Sequence, residues 1–196
     1  MQRAVFIDRD GVICRNRKDH VKSWEEFVFL PGARDALAQL SCSDFLVIVI
    51  TNQAIINRGI VSAEAVEDIH RRMVREVEAV GGRIDRVLYC PHRPDEHCGC
   101  RKPQPGLLLR AAHEMGIDLA SSWLVGDAWS DMVAARRAGC GRYMVLTGRG
   151  RRELIRCWRM GEGGFQVVLN LGHAVRLLLR MELASGRVPA PVWGGR

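Results

Sequence analysis

Five apolar runs of strand length or nearly so, residues 4–7, 45–50, 87–89, 123–125 and 143–146, alternate with stretches of helical pattern over 33–40, 63–80, 105–115 and 129–138. Strands separated by helix-length segments make βαβ units, and such units build a mainly parallel sheet with helices on its faces. Local signals agree. Ser62 before Glu64 reads as a helix start, and Gly81, Gly82 and Gly139 stand where helices should stop. Residues 165–169 add a candidate sixth strand and 173–183 a last helix. The expected class is α/β. A chain of 196 residues fits one domain, placed at 1–184, with a poorly ordered tail predicted from Ser185 onward, where two prolines and Gly194-Gly195 fall.

The ends of these strands carry the chemistry. Val5-Phe6-Ile7 runs into Asp8-Arg9-Asp10-Gly11. Residues i and i+2 of a strand share a face, and parallel sheets bind ligands in the crevice beyond their carboxyl ends. The first carboxylate can attack, as in aspartyl-phosphate chemistry, and the second can hold and move a proton. Alone, Asp-x-Asp could equally be a turn with a helix cap. Three further pieces support a site. The apolar run through Ile50 ends in Thr51-Asn52, Arg101-Lys102-Pro103 precedes a helix, and Leu124-Val125-Gly126-Asp127 is followed by Asp131.

Cys90-Pro91-His92 and Cys98-Gly99-Cys100 flank a five-residue gap. Three thiolates and one imidazole match a closed, tetrahedral structural zinc site, here with tighter spacers than usual. The alternative, three free cysteines packed in a core, sits badly with the neighbours Arg93, Pro94, Asp95 and Glu96. His97 is a rival ligand. A filled site leaves no open position for catalysis, so the metal reads as a loop staple placed just before Arg101-Lys102. Seven cysteines do not suggest a disulfide framework. Cys14, Cys42, Cys140 and Cys157 read as small buried hydrophobes.

The net charge of +7 would permit an anionic partner. The cations, however, are three lysines and 26 arginines, a skew of composition more than of purpose, and no basic–aromatic interleaving for stacking bases is present. The cluster Arg149, Arg151, Arg152, Arg156 and Arg159 reads as a solvated helix face in preference to a nucleic-acid patch. No leader and no membrane-length apolar run is found. The expectation is a cytoplasmic monomer without membrane or nucleic-acid partners.

In this order, the acidic strand end, the hydroxyl, the lysine and the second acidic strand end resemble the haloacid dehalogenase (HAD) phosphohydrolase superfamily. The resemblance implies a HAD-like Rossmannoid three-layer fold. The spacings of about forty and fifty residues between Asp10, Thr51 and Lys102 leave no room for a cap domain. The zinc loop and Arg-Lys-Pro narrow the resemblance to bacterial phosphatases that include heptose-bisphosphate and histidinol-phosphate enzymes. Residues 19–32 (Asp19 through Gly32) and Thr51-Asn52-Gln53-Ala54, continuing to Asn57-Arg58-Gly59, resemble the former. The short gap between His92 and Cys98 leans toward the latter. Carried over by position, Asp8 is the nucleophile, Asp10 the acid/base, and Thr51 and Lys102 the phosphoryl-stabilising groups. Asp8, Asp127 and the Asp10 carbonyl hold magnesium. Asp19, Asn52, Gln53 and Arg101 contact a small sugar-phosphate substrate, and Asp131 orients Lys102 or a metal-bound water. A non-catalytic HAD-like binding protein is the alternative of a different class. An intact Asp10, for which binding has no use, speaks against it.

Overall fold

The computed structural model describes residues 1–184, so the tail predicted from Ser185 lies outside the described residues. Among the described residues six strands form one parallel sheet: β1 (Arg3–Ile7), β2 (Phe45–Asn52), β3 (Arg86–Cys90), β4 (Trp123–Gly126), β5 (Gly141–Val145) and β6 (Gln166–Val168). Their spatial order is β3-β2-β1-β4-β5-β6. The helices between and after them are α1 (Ala33–Leu40), α2 (Ala63–Glu78), α3 (Gly106–Met115), α4 (Trp129–Ala138), α5 (Gly150–Arg159) and α6 (Leu171–Ala184). Among the described residues no cap domain is inserted in either interval.

The near-continuous apolar strands follow from burial on both faces. Val5 and Ile7 of β1, with Phe45, Val47 and Val49 of β2, face a core completed by α1, α2 and α6. Ala4 and Phe6, with Ile48 and Ile50, face the opposite core against α3 and α4. The periodicity of two along each strand thus decides which helix layer a residue meets.

Element boundaries differ from the sequence reading by a residue or two, as helix and strand ends do. β5 begins two residues earlier, at Gly141, where a Cβ would overlap the Trp123 ring on β4, so the place beside that ring takes a glycine. Ser62 caps α2, its side chain accepting from the Ala65 N–H at 3.2 Å. The arginine-rich segment is helix α5, with Glu153 and Cys157 buried and Arg151, Arg152, Arg156 and Arg159 exposed. Cys14, Cys140 and Cys157 are buried, but Cys42 is exposed. It follows α1 directly, with its thiol turned to the Ala38 carbonyl, so the expectation of a buried small hydrophobe is wrong for that residue.

The chain runs outward from β1 to β2 and β3, then returns to the other side of β1 for β4, β5 and β6. Strand order therefore reverses between β1 and β4, the position where open α/β sheets form their ligand crevice. Register brings Ile7 opposite Val49 on β2 and Val125 on β4, so the residues just beyond all three strands meet there.

Candidate active site

Three carboxylates converge at this reversal. One ligand atom each from Asp8, Asp127 and Asp131 lies within 4.8 Å of the others, and all three residues are buried. Asp8 is anchored by its backbone N–H, which donates to the Val125 carbonyl at 2.9 Å. Lys102 is buried between two of them, its Nζ 2.8 Å from Asp8 Oδ1 and 2.7 Å from Asp131 Oδ1. It also donates to the Ile50 carbonyl at 3.1 Å.

One lysine does not balance three buried acids. Burial pushes the Asp8 carboxyl up to about 7, against the pull of Lys102 and with further push from Asp131, Asp127 and Asp10. Burial likewise carries Asp127 up to about 6, opposed by Arg149. Lys102 moves the other way: burial would lower it, but Asp131 and Asp8 outweigh burial and hold it protonated. A pocket of oxygen donors with surplus negative charge suits a hard divalent cation such as magnesium, so the residues present fit one.

Two glycines make room for Asp127. A Cβ on Gly11, whose φ is +94°, or on Gly148, at +57°, would overlap the Asp127 carboxylate, and the one on Gly148 would also strike Gly11. Thr147 Oγ1 locks these segments by donating to the Gly11 carbonyl at 2.7 Å. The Arg149 N–H donates to Asp127 Oδ2 at 2.7 Å, while its guanidinium lies 3.4 Å from Oδ1. Arg149, grouped by sequence with a solvated helix face, instead sits at the mouth of the acidic cluster.

Asp10 stands apart from the three acids. Arg9, 1% exposed, reaches around it: Nε donates to Oδ2 and Nη2 to Oδ1, both at 3.1 Å. Gln53 Nε2 donates to Asp10 Oδ2 at 3.0 Å and to Thr51 Oγ1 at 2.8 Å, and Thr51 Oγ1 lies 3.4 Å from Asp10 Oδ2. Burial would raise the Asp10 carboxyl, but the charge of Arg9 and hydrogen bonds from Arg9 and Gln53 outweigh it and leave Asp10 below the usual carboxylate range.

The expected substrate contacts sort differently once side chains are placed. Asn52 is committed to the Lys102 backbone, its Nδ2 donating to the carbonyl and its Oδ1 accepting from the N–H, both at 3.1 Å. Gln53 is committed to Asp10 and Thr51. Asp19 is itself exposed and pairs with Lys22 Nζ at 2.5 Å, so the structure does not bring it to the acidic cluster. Arg101 ties back to the cysteine–histidine loop, its Nη1 donating to the His92 carbonyl at 3.1 Å. With Lys102, Pro94, His97 and Gln104 it lines a pocket of about 200 Å³. Asp131 sits where the sequence placed it, bridging Lys102 and the Ala128 N–H, which donates to its Oδ2 at 3.0 Å.

The thiol–imidazole loop closes on itself. Cys90, His92, Cys98 and Cys100 form a second group with metal-ligand potential. Cys100 Sγ is 3.2 Å from Cys90 Sγ, 3.5 Å from Cys98 Sγ and 3.3 Å from His92 Nδ1, while Cys90 Sγ is 3.5 Å from His92 Nδ1 and 3.6 Å from Cys98 Sγ. Four donors about 2.3 Å from a common centre would stand roughly 3.8 Å apart, so the cluster is close to the size of a zinc tetrahedron. His97 is not part of it and adopts a left-handed turn conformation.

Sequence reasoning passed over three residues. Arg9 lies inside the Asp-x-Asp pair itself. His70 was visible as the polar member of the α2 stripe Val66, Ile69, Met73 and Val77. Arg149 carried no local signal that set it apart from the arginines of the solvated helix face.

A family model described as HAD-hydrolase-like matches residues 99–172. The chain is 41% identical over 155 residues to the D-glycero-β-D-manno-heptose-1,7-bisphosphate 7-phosphatase of Pseudomonas aeruginosa, covering 79% of this chain and 87% of that protein. It is 40% identical over 152 residues to the protein of the same name from Bordetella bronchiseptica, covering 78% and 85%. A crystal structure of the D,D-heptose 1,7-bisphosphate phosphatase from B. bronchiseptica, complexed with magnesium and phosphate, superposes with a TM-score of 0.85 at 36% identity, covering 92% of this chain and 99% of that one.

Proposed function

The chain belongs to the HAD-like phosphatases, in the family of the heptose-bisphosphate 7-phosphatases, and we propose that it removes the 7-phosphate of D-glycero-β-D-manno-heptose 1,7-bisphosphate through an aspartyl-phosphate. The observation that carries this reading is Asp8: a buried strand-end carboxylate beside a buried lysine and two further acids, at the crevice where strand order reverses.

In the first half-reaction Asp8 attacks phosphorus, and the bond between phosphorus and the sugar oxygen breaks. Lys102 offsets the charge of the transferring phosphoryl group, and the Thr51 hydroxyl donates to one of its oxygens. Such transfers depend mainly on alignment and charge stabilisation. Magnesium, held by Asp8, Asp127 and the Asp10 carbonyl, would neutralise the repulsion between carboxylate and phosphate. Asp10 is ionised at rest. The negative charge of bound phosphate raises its pKa, so that it takes up the proton it gives to the leaving oxygen. It then recovers a proton from the water that hydrolyses the aspartyl-phosphate. Cys90, His92, Cys98 and Cys100 would hold a structural zinc, which would fix the approach of Arg101 and Lys102.

The test is Asp8→Asn with phosphorus NMR of the product. The wild-type protein should release the 7-phosphate and leave the 1-phosphate, and the variant should lose turnover by several orders of magnitude while remaining folded. Release of the 1-phosphate, substantial activity in the variant, or faster turnover of histidinol phosphate, to which the short His92–Cys98 spacer points, would overturn the proposal.

A further inference from the structure

Arg9 is fully buried, and burying a guanidinium is costly unless its donors are used. Two of its nitrogens grip the two oxygens of Asp10. The third, Nη1, lies 3.0 Å from Nε2 of His70, a residue 61 positions away on α2 and itself 5% exposed. An arginine nitrogen can only donate, so His70 Nε2 accepts and the imidazole is neutral with its proton on Nδ1. Burial and the Arg9 charge favour the same state, lowering the His70 pKa to about 3. The ring of Tyr89 packs against His70 with centroids 5.6 Å apart, and the Tyr89 hydroxyl donates to Glu67 on α2 at 2.9 Å. Thus helix α2 and strand β3 hold the imidazole, the imidazole holds one arm of the guanidinium, and the other arm holds Asp10 in a two-point grip.

We propose that His70 is a positioning residue for proton transfer, acting through Arg9 to fix the carboxylate of Asp10. The inference rests on the reading of Asp10 as the group that moves the proton. Without His70, Arg9 keeps its charge but loses its anchor, and the guanidinium can swivel about Cδ. Asp10 then stays ionised and paired while its oxygens leave the line to the leaving group. Misplacement of this kind costs proton transfer, not phosphate binding or nucleophilic attack. In the first half-reaction it is felt where the departing oxygen needs a proton as the P–O bond breaks, and hardly at all where the leaving group is already a stable anion.

That difference is the test. The kcat/KM, which covers the steps up to departure of the leaving group and leaves out the aspartyl-phosphate hydrolysis common to both substrates, is measured for wild type, His70→Ala, His70→Gln and Asp10→Asn on heptose 1,7-bisphosphate, whose leaving group is a poor alkoxide, and on p-nitrophenyl phosphate, whose leaving group is a good phenolate. His70→Ala should lose about 10- to 100-fold on the sugar phosphate, the scale of a small misplacement, and less than about threefold on the aryl phosphate. His70→Gln, whose amide oxygen can accept from Arg9, should regain most of the loss. Asp10→Asn should show the same asymmetry at about 10²- to 10⁴-fold. His70→Leu keeps the volume and removes the acceptor, and makes the same measurement where the alanine cavity prevents folding. Equal losses on both substrates, or no loss on the sugar phosphate, would overturn the inference. If Asp10→Asn shows no asymmetry, the reading of Asp10 falls and this inference with it. If Asp10→Asn shows it and the His70 variants do not, only the role of His70 falls.

Discussion

Replacing His70 with glutamine makes the acid stability of the protein a measure of one buried ring. In the folded chain His70 is held neutral, with its pKa lowered to about 3 by burial and by Arg9. In the unfolded chain it titrates near 6.5. Below that value the unfolded state binds a proton that the folded state refuses, so stability falls with decreasing pH. The loss grows by about 1.4 kcal/mol per pH unit and ends near the folded pKa, for a total on the order of 5 kcal/mol. Between about pH 7.5 and about pH 5 the histidine contributes a loss of about 2 kcal/mol, against a total stability of roughly 5–15 kcal/mol. Glutamine can keep the hydrogen bond from Arg9 but does not titrate. Urea unfolding of both proteins at the two pH values cancels every other titrating group. The wild type should lose about 2 kcal/mol more than His70→Gln on acidification. Equal losses would mean that the ring is protonated or solvated in the folded protein, and the Arg9–His70 geometry would be refuted.

Three further outcomes are expected. Freshly purified, reduced protein should carry close to one zinc per chain, retained under mild chelation that stops catalysis reversibly by removing magnesium, and Cys100→Ser should lose it; elemental analysis finding no zinc in the wild type would contradict the staple. Gly148→Ala should weaken magnesium binding by about tenfold or more in calorimetric titration, because its Cβ occupies the place of the Asp127 carboxylate, and should cost about 1–2 kcal/mol of backbone strain at positive φ; unchanged affinity would refute that packing argument. Arg101→Ala should lower kcat/KM for a bisphosphate by roughly ten- to a thousandfold, the scale of a lost charge-assisted pair, and lower it much less for a small monophosphate; equal losses would place Arg101 at the reaction centre.

The alternation of apolar runs and helical patterns determined the class and the parallel sheet, because strands buried on both faces must be apolar throughout while the helices need only one apolar stripe. The same reading located the converging chemistry. Asp8, Thr51 and Asp127 are recognisable because each directly follows or ends an apolar run, and parallel strands present their carboxyl ends on one edge. The four zinc-ligand candidates were legible because they lie within eleven consecutive positions of one loop.

What the sequence left open are partnerships between residues distant in the chain. That Arg9, beside Asp10, leans on His70, that Asn52 pins the Lys102 backbone instead of facing solvent, and that Arg149 reaches Asp127 across 22 residues all depend on how α2, the cysteine–histidine loop and the β5–α5 connection pack around the sheet. A side chain's partner is set by the distance and direction that tertiary packing imposes, and periodicity carries neither. For the same reason the strand order, with its reversal between β1 and β4, emerged only from the fold. The carboxylates are written in the sequence, and the surplus negative charge that suits them to a cation exists only once burial has removed them from water.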